Sequence, residues 1–252
     1  MRELAETGVP ARGVLVNIPD PVVVELVALG GFDFVFFDLE HSGTDLPRLE
    51  YLLRTALSVG LGTVVRSPGP RSELTARILD LGPDCVLAPR VESQADVDQV
   101  IATSRFPPLG NRGVAESSRT SDYGAHRGEG DVPAQMVGVM VETAGAVADI
   151  ESIVRTEGLD FVFIGPEDLA ASMGHLGERG HPEVTRAVEH VIATARAAGK
   201  RFAMGAGHPA VSVPAEELAS LGVTFLLAGR DSNVLLAALR ELRARGGSGN
   251  HF

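Results

Sequence analysis

The stretch Phe32–Ser42, FDFVFFDLEHS, places a run of aromatic and aliphatic residues directly before two acids and a histidine. The run Phe34–Phe37 is apolar at every position, which is typical of a parallel strand buried on both faces. Asp38, Glu40 and His41 follow at once. We therefore predict a buried strand whose carboxyl end opens into a polar pocket.

The same alternation of an apolar run and an amphipathic segment recurs along the whole chain. Several of the amphipathic segments stop at glycine, the usual residue after a helix end. Eight strands in 252 residues are the number expected for a (β/α)8 TIM barrel, an α/β fold with a parallel sheet. The predicted strands are Gly13–Ile18, Phe34–Asp38, Thr63–Arg66, Cys85–Pro89, Val137–Glu142, Phe161–Ile164, Arg201–Met204 and Val223–Ala228.

A doubly wound sheet is the alternative α/β architecture. It is disfavoured because the first strand is followed by NIPDP and not by a glycine-rich G-x-G-x-x-G turn. The chain also lacks a Pro/Ser-rich linker, so we predict one catalytic domain over 1–245 and a disordered tail over 246–252. The long connection Phe106–Gln135 is predicted to be functional or partly disordered.

Charge and cysteine content limit the class of protein. The net charge of −11 argues against nucleic acid as a partner and gives no support for binding to anionic membranes. No apolar run approaches the ~18 residues that span a bilayer, and the first residues lack the apolar region of a secretory signal. The single cysteine, Cys85, lies in an apolar run and is predicted to be a packed core thiol. These features predict a cytoplasmic enzyme that acts on small molecules.

Polar residues cluster at the predicted strand ends. In a barrel these positions share one mouth, where they indicate chemistry. Each also has a structural interpretation: Asp45 and Asp231 are candidate helix N-caps, and His41 and Arg66 could be structural partners. Their joint occurrence favours a site, because a mouth full of unpaired charges is costly without a metal or ligand. The residues are Asp38, Glu40, His41, Arg66, Arg90, Glu92, Glu142, Asp168, Arg230 and Asp231.

Two of these carboxylates, Glu142 and Asp168, follow neighbouring predicted strands and are suited to a hard divalent cation such as Mg²⁺. A metal with open positions can chelate a 2-oxo acid and act as a Lewis acid on enolate charge. Arg66 would place a fixed positive group beside that oxygen, and His41 would move the proton.

The chain resembles the HpcH/HpaI aldolase family, the metal-dependent class II pyruvate aldolases. The resemblance runs through nearly the whole sequence and is carried by GFDFVFFDLEHS, VVRSP, ILDLG, FPPLGNRG, VMVETAGAV, FIGPEDLAASMG and AAGK. It implies a modified TIM barrel that reversibly cleaves a 4-hydroxy-2-oxo acid into pyruvate and an aldehyde. It also implies a homo-oligomer, a hexamer built as a trimer of dimers, with exchanged C-terminal helices.

The resemblance also implies residue roles. Glu142 and Asp168 match the ligands of a divalent metal (Mg²⁺, Mn²⁺ or Co²⁺), Arg66 the residue that stabilises the enolate, and His41 the acid/base. Asp80, from an adjoining subunit, would raise the basicity of His41. Supporting positions are Asp38 and Glu40, and the wall that receives the pyruvate carboxylate is Gly165, Pro166 and Glu167.

Two positions depart from the family pattern. Met140 stands where the family often has Gln, and Glu167 where it often has a small residue. Both departures concern substrate binding more than chemistry. Three alternatives therefore stay open: a citrate-synthase-like or decarboxylating enzyme that acts on oxaloacetate, a phosphate-binding barrel enzyme using Met204–Gly207 and Ala228–Arg230, and a non-catalytic binding protein.

Overall fold

Eight parallel strands form a closed barrel, in which each strand pairs with the next along the chain and the last pairs with the first. The computed structural model describes residues 1–125, 135–211 and 217–246. The predicted TIM barrel is confirmed, with strand ends shifted by at most two residues from the predicted ones. The strands are β1 (Ala11–Val16), β2 (Phe34–Asp38), β3 (Gly62–Arg66), β4 (Cys85–Ala88), β5 (Met136–Val141), β6 (Phe161–Ile164), β7 (Arg201–Gly205) and β8 (Phe225–Arg230).

Helices cover the outside of the barrel. Asp45 caps α2 by accepting a hydrogen bond from the Arg48 backbone N–H at 2.9 Å, as its N-cap interpretation predicts. The helices are α1 (Pro21–Leu29), α2 (Leu46–Ser58), α3 (Leu74–Asp80), α4 (Gln94–Ser104), α5 (Ala144–Ala148), α6 (Ile150–Arg155), α7 (Pro166–Ser172), α8 (Pro182–Ala197) and α9 (Asp231–Gly246), with 3₁₀ helices η1 (Leu4–Glu6) and η2 (Arg119–Gly124).

Aromatic rings fill the barrel interior. The ring of Phe225 meets those of Phe34 and Phe161 edge to face, with centroids 6.1 and 5.4 Å apart. A Cβ at Gly13 or Gly138 would come within 2.4 Å of an atom of the Phe34 or Phe161 ring, so these two strand positions need glycine. The interior is therefore a packed core and not a pore.

The alternation of side chains along each strand places the polar residues at the mouth. On β2, Phe34 and Phe36 point inward and belong to the interior cluster, whereas Val35 and Phe37 pack against the outer helices. Asp38 continues the inward series at the carboxyl end of the strand. The same alternation along β5 places Glu142, the residue after the strand, over the interior.

The last helix, α9, leaves its apolar side uncovered. Its main contacts are with β1 and β8. An apolar groove of about 430 Å³ lies between α9 and α1. The exposed apolar residues of α9 are Val234, Leu235, Leu236, Leu239 and Leu242.

Two predicted segments fall partly outside the described residues. The connection Phe106–Gln135 contains η2, but 126–134 lie outside the description. Gly246 is the last residue of α9, and the rest of the predicted tail, 247–252, also lies outside. Among the described helices, none has the length and apolar composition needed to cross a bilayer.

Candidate functional site

The carboxyl ends of the strands enclose an open cavity of about 460 Å³. It is the mouth that a TIM barrel uses for chemistry. Its walls combine interior aromatic residues with charged groups from several strands. The lining residues are Leu15, Phe36, Arg66, Met140, Phe163, Ile164, Gly165, Pro166, Glu167, Asp168, Arg179, Gly205, Ala206, His208, Leu227, Gly229, Arg230 and Asn233.

Arg66 is held on the floor of this cavity by Asp38. Its Nε and Nη2 atoms donate to the two carboxylate oxygens of Asp38 at 2.8 and 2.6 Å. Burial alone would raise the pKa of Asp38, but the hydrogen bond and charge of Arg66, with backbone N–H groups, hold it below its usual value. The Asp38 carboxylate is therefore ionised at neutral pH and fixes the guanidinium.

Glu40 and His41 lie beside this pair. The Glu40 Oε2 atom is 3.1 Å from Arg66 Nη1, although the contact lacks the alignment of a hydrogen bond, and 3.5 Å from His41 Nε2. Burial raises the pKa of Glu40 above its usual value, even though the charge of Arg66 opposes the rise. The His41 side chain is 60% exposed, so it can meet a reactant or another subunit.

Glu142 has one satisfied and one unsatisfied carboxylate oxygen. Its residue is only 2% exposed. Its Oε1 atom accepts a hydrogen bond from the Arg90 backbone N–H at 2.7 Å, whereas Oε2 is buried and has no hydrogen-bond partner among the described residues. Arg90 adopts a left-handed backbone conformation, with φ of 55°, which is uncommon for a residue with a side chain.

Burial and nearby negative charge disfavour the ionised form of Glu142 in the absence of a cation. Burial raises its pKa to about 7, and the charges of Asp168 and Glu40 contribute to the rise. Asp168, in the first turn of α7, is exposed and makes no hydrogen bond or ion pair with the described residues. A buried orphan carboxylate oxygen beside a free carboxylate fits a hard divalent cation, which would supply the missing partner.

Gly165 lets the Glu142 carboxylate occupy this position. A Cβ built on Gly165 would lie 2.8 Å from Glu142 Oε2 and 2.9 Å from its Cβ. Gly165 directly follows β6, and its N–H donates to the Val141 carbonyl on β5 at 3.1 Å. Pro166 then begins α7, which brings Asp168 to the same edge of the mouth.

Asp80 does not lie in this cavity. Because α3 runs back from the carboxyl end of β3, its last residue, Asp80, lies at the opposite end of the barrel from His41. Its Oδ1 accepts a hydrogen bond from Arg112 Nη2 at 2.7 Å. Within one chain, Asp80 and His41 therefore cannot meet.

The two departures from the family pattern both line the cavity. Met140 directs its sulfur at Arg66 Nη1, 3.7 Å away. Glu167 Oε2 accepts hydrogen bonds from Arg179 Nε at 2.9 Å and His208 Nε2 at 3.0 Å. Arg179 and His208 were not singled out in the sequence, because they lie in connections and only the fold brings them together.

The geometry thus brings together most of the residues that the sequence analysis named, and it places two of them, Asp80 and Asp231, elsewhere. Around the cavity lie Asp38, Glu40, His41, Arg66, Met140, Glu142, Gly165, Pro166, Glu167 and Asp168. Asp231 does not serve the cavity: its carboxylate accepts the N–H groups of Asn17 and Ile18 at 3.0 and 2.9 Å and ties α9 to the end of β1.

The chain matches known proteins along most of its length. Residues 12–235 match the HpcH/HpaI aldolase/citrate lyase family. A 5-keto-4-deoxy-D-glucarate aldolase of Klebsiella pneumoniae subsp. pneumoniae is 36% identical, over 89% of this chain and 88% of the relative. A hydroxypyruvate/pyruvate aldolase of Pseudomonas aeruginosa is 34% identical, over 97% of this chain and 91% of the relative.

Solved structures show the same barrel. An HpcH/HpaI aldolase/citrate lyase family protein from Burkholderia cenocepacia J2315 is 32% identical and superposes with a TM-score of 0.89, over 97% of both chains. A more distant barrel, the citrate lyase beta subunit of M. tuberculosis, was solved with oxaloacetate and magnesium; at 20% identity and a TM-score of 0.57, over 90% of this chain and 94% of that one, it shows the fold alone. The chain belongs to the HpcH/HpaI aldolase/citrate lyase family and is a carbon–carbon lyase.

Proposed function

We propose that this enzyme reversibly cleaves a 4-hydroxy-2-oxo acid into pyruvate, or a related 2-oxo acid, and an aldehyde, with the help of a divalent cation. The observation that carries the proposal is the buried, unpartnered Oε2 of Glu142 beside the free carboxylate of Asp168, which lines the same cavity as Arg66. The aldolases to which the chain is similar support the reaction class.

Glu142 and Asp168 would hold the cation, which is Mg²⁺, Mn²⁺ or Co²⁺ by its preference for carboxylate and water oxygens. When bound, it supplies a Lewis acid for the oxygens of the 2-oxo acid. The wall of Gly165, Pro166 and Glu167 would receive the substrate carboxylate. The backbone donor there would be the N–H of Glu167 in the first turn of α7, because Pro166 has no N–H and the Gly165 N–H is donated to the Val141 carbonyl.

Arg66 would stabilise the negative charge that develops on the carbonyl oxygen of the 2-oxo acid. Its position is fixed before the substrate arrives, because Asp38 holds Nε and Nη2. A preorganised cation in a buried site stabilises charge without paying for reorganisation during the reaction. The third guanidinium nitrogen, Nη1, lies 3.1 Å from Glu40 Oε2, and this contact limits its movement.

His41 would transfer the proton between the substrate hydroxyl and solvent. Its ring is accessible, and Glu40 Oε2 lies 3.5 Å from Nε2, where the carboxylate can orient the ring. Asp80 would act from an adjoining subunit, since it lies at the far end of its own barrel. This role requires an oligomer.

The aldehyde would enter past Glu167. Its carboxylate ties Arg179 and His208 to the rim of the cavity, and the charge and hydrogen bond of Arg179 help to hold the pKa of Glu167 below its usual value, against the effect of burial. Met140 places an apolar thioether where a polar group would bind a hydroxyl or water. These residues would select the aldehyde.

The uncovered apolar side of α9 would pack on another copy of the chain. The helix exposes Leu239 and Leu242 to 53% and 68% while an apolar groove beside α1 stays open. Exchange of α9 between two subunits would cover both surfaces, in line with a hexamer built as a trimer of dimers. A cytoplasmic location follows only as a prediction from the free, buried thiol of Cys85.

A hydrogen–deuterium exchange experiment tests the proposal without knowledge of the aldehyde. The enzyme should exchange the methyl protons of pyruvate in D₂O when Mg²⁺, Mn²⁺ or Co²⁺ is present, and EDTA should stop the exchange. No exchange with any of these ions would overturn it. Oxaloacetate, with and without acetyl-CoA, separates the citrate-type and decarboxylating alternatives, because those reactions consume it and release citrate or carbon dioxide.

A further inference from the structure

A second group of metal-ligating side chains lies between α7 and α8, away from Glu142. One ligand atom from each of His175, Glu178 and His181 lies within 4.8 Å of the others. The imidazole rings of His175 and His181 are stacked, with centroids 3.5 Å apart and planes 16° from parallel. Both histidines are partly buried, and Glu178 is exposed.

Backbone hydrogen bonds, and not side-chain conformation alone, bring these three residues together. The Glu178 N–H donates to the His175 carbonyl at 2.9 Å, and the His181 N–H donates to the Glu178 carbonyl at 2.9 Å. The segment therefore forms two consecutive turns, His175–Glu178 and Glu178–His181, and the three ligands are their first and last residues. Gly174 and Gly177, with φ of 85° and 84°, provide the left-handed conformations of this segment.

Glu183 adds the supporting contact that is usual for a metal-binding histidine. Its Oε2 lies 3.1 Å from His175 Nε2. A carboxylate in this position fixes the ring and leaves the lone pair of Nδ1 available for a cation. At the start of α8 the His181 Nδ1 accepts the Glu183 N–H at 3.3 Å, which places the proton of the neutral ring on Nε2. His181 is therefore the ring that must release its contact and turn to offer a lone pair to a cation.

We propose that His175, Glu178 and His181 form a second divalent-cation site, which takes zinc-class ions and fixes the segment from Gly174 to His181. Imidazole ligands favour Zn²⁺, Co²⁺, Ni²⁺ or Cu²⁺ over Mg²⁺. Tetrahedral Zn²⁺ would need ligand atoms about 3.4 Å apart, so one stacked ring turns and the cluster contracts on binding. Glu183 is the orienting carboxylate or the fourth ligand.

A cation bound at this site would affect the entrance of the cavity through Arg179. This residue lies inside the segment, between Glu178 and His181, and its Nε donates to Glu167 at the cavity rim. A cation that fixes the two turns restricts Arg179 and with it the entrance. The second site would thus control access, whereas the carboxylate site carries the chemistry.

Metal stoichiometry tests the proposal on the full-length oligomer. By calorimetry with Zn²⁺, the Glu142→Gln/Asp168→Asn variant should keep one site per chain, and adding His175→Gln and His181→Asn should abolish it. Asn at position 181 preserves an N-cap for α8, and His190→Gln, an exposed histidine on α8, is the matched control. Loss of all Zn²⁺ binding in the carboxylate variant, or its survival without His175 and His181, would overturn the proposal.

Two readouts do not depend on activity. Co²⁺ in the carboxylate variant should show the intense visible absorption of four-coordinate cobalt, which His175→Gln should remove. Zn²⁺ should also slow tryptic cleavage after Arg179 by at least about tenfold, because ordering a segment protects it from proteolysis. An unchanged cleavage rate in the protein that binds Zn²⁺ would contradict the fixing of the segment.

Discussion

Asp38 and Arg66 are register partners at the ends of β2 and β3, and their side chains meet through two parallel hydrogen bonds of 2.8 and 2.6 Å. Both residues are at least 94% buried, so the pair is held away from water. The contact leaves Nη1 directed at Met140 and Glu40, on the side of the cavity. The orientation of the guanidinium is therefore set by the strand register.

The first prediction concerns this pair. Arg66→Lys should lower kcat for pyruvate proton exchange about a hundredfold, because an ammonium cannot replace a guanidinium that pairs with Asp38 and, as proposed, also binds the substrate oxygen. Asp38→Asn should lower it at least about tenfold, since the guanidinium loses one acceptor and its countercharge. Asp45→Asn, which preserves a helix cap outside the cavity, is the control. Full activity of Asp38→Asn would show that Arg66 is positioned by other contacts.

The second prediction concerns Gly165. A methyl group at this position would lie 2.8 Å from Glu142 Oε2 and must displace the carboxylate. Gly165→Ala should therefore weaken Mn²⁺ binding at least about tenfold. Gly205→Ala is the matched control, since that glycine lines the same cavity and a Cβ there meets nothing within 4 Å. Equal Mn²⁺ affinity in the two variants would contradict the close approach of Glu142.

The third prediction follows from the pKa of Glu142, which rises from 4.5 to about 7 in the metal-free protein. Between these values the folded state binds more protons than the unfolded state, so the free energy of unfolding falls as pH rises. The decrease in the free energy of unfolding that this carboxyl causes is complete above pH 7 and amounts to about 3 kcal/mol.

Glu142→Gln removes this titration. In EDTA, denaturant unfolding should show the variant gaining stability relative to the wild type as pH rises from 4.5 to 7. Added Mn²⁺ should reverse the difference, because the cation stabilises only the protein with the carboxylate. A stability difference that does not change with pH would mean that Glu142 is not perturbed.

The fourth prediction concerns the oligomer. Leu239→Lys with Leu242→Lys should lower the mass measured by light scattering, because the apolar side of α9 no longer packs on a neighbour. Pyruvate exchange should fall in parallel, because the proposed action of Asp80 on His41 of another subunit requires the oligomer. Leu57→Lys, at a 69% exposed leucine of α2, is the control. An unchanged mass in the α9 variant would exclude exchange of this helix.

Local patterns predict the barrel well, but long-range contacts set the strand ends. All eight predicted strands are present. The first strand is predicted to end at Ile18, yet β1 ends at Val16 because the N–H groups of Asn17 and Ile18 bind Asp231 instead of a neighbouring strand. That contact joins residues far apart in sequence, and no periodicity predicts it.

The site shows the same division. Alternation along β2 and β5 is sufficient to place Asp38 and Glu142 over the interior. The left-handed conformation of Arg90, which aims its N–H at Glu142, has no sequence signal, because Arg rarely adopts it. The contacts of Arg179 and His208 with Glu167 depend on loop conformations and are likewise visible only in the fold.

The most direct test of the account is whether Glu142 and Asp168 share one hard divalent cation. Mn²⁺ binding should be measured by electron paramagnetic resonance in a His175→Gln/His181→Asn background, so that only the carboxylate site can respond. One Mn²⁺ should bind per chain, and either Glu142→Gln or Asp168→Asn should abolish this binding, whereas Glu151→Gln, an exposed acid on α6, should not. Mn²⁺ affinity that survives in both carboxylate variants would contradict the account.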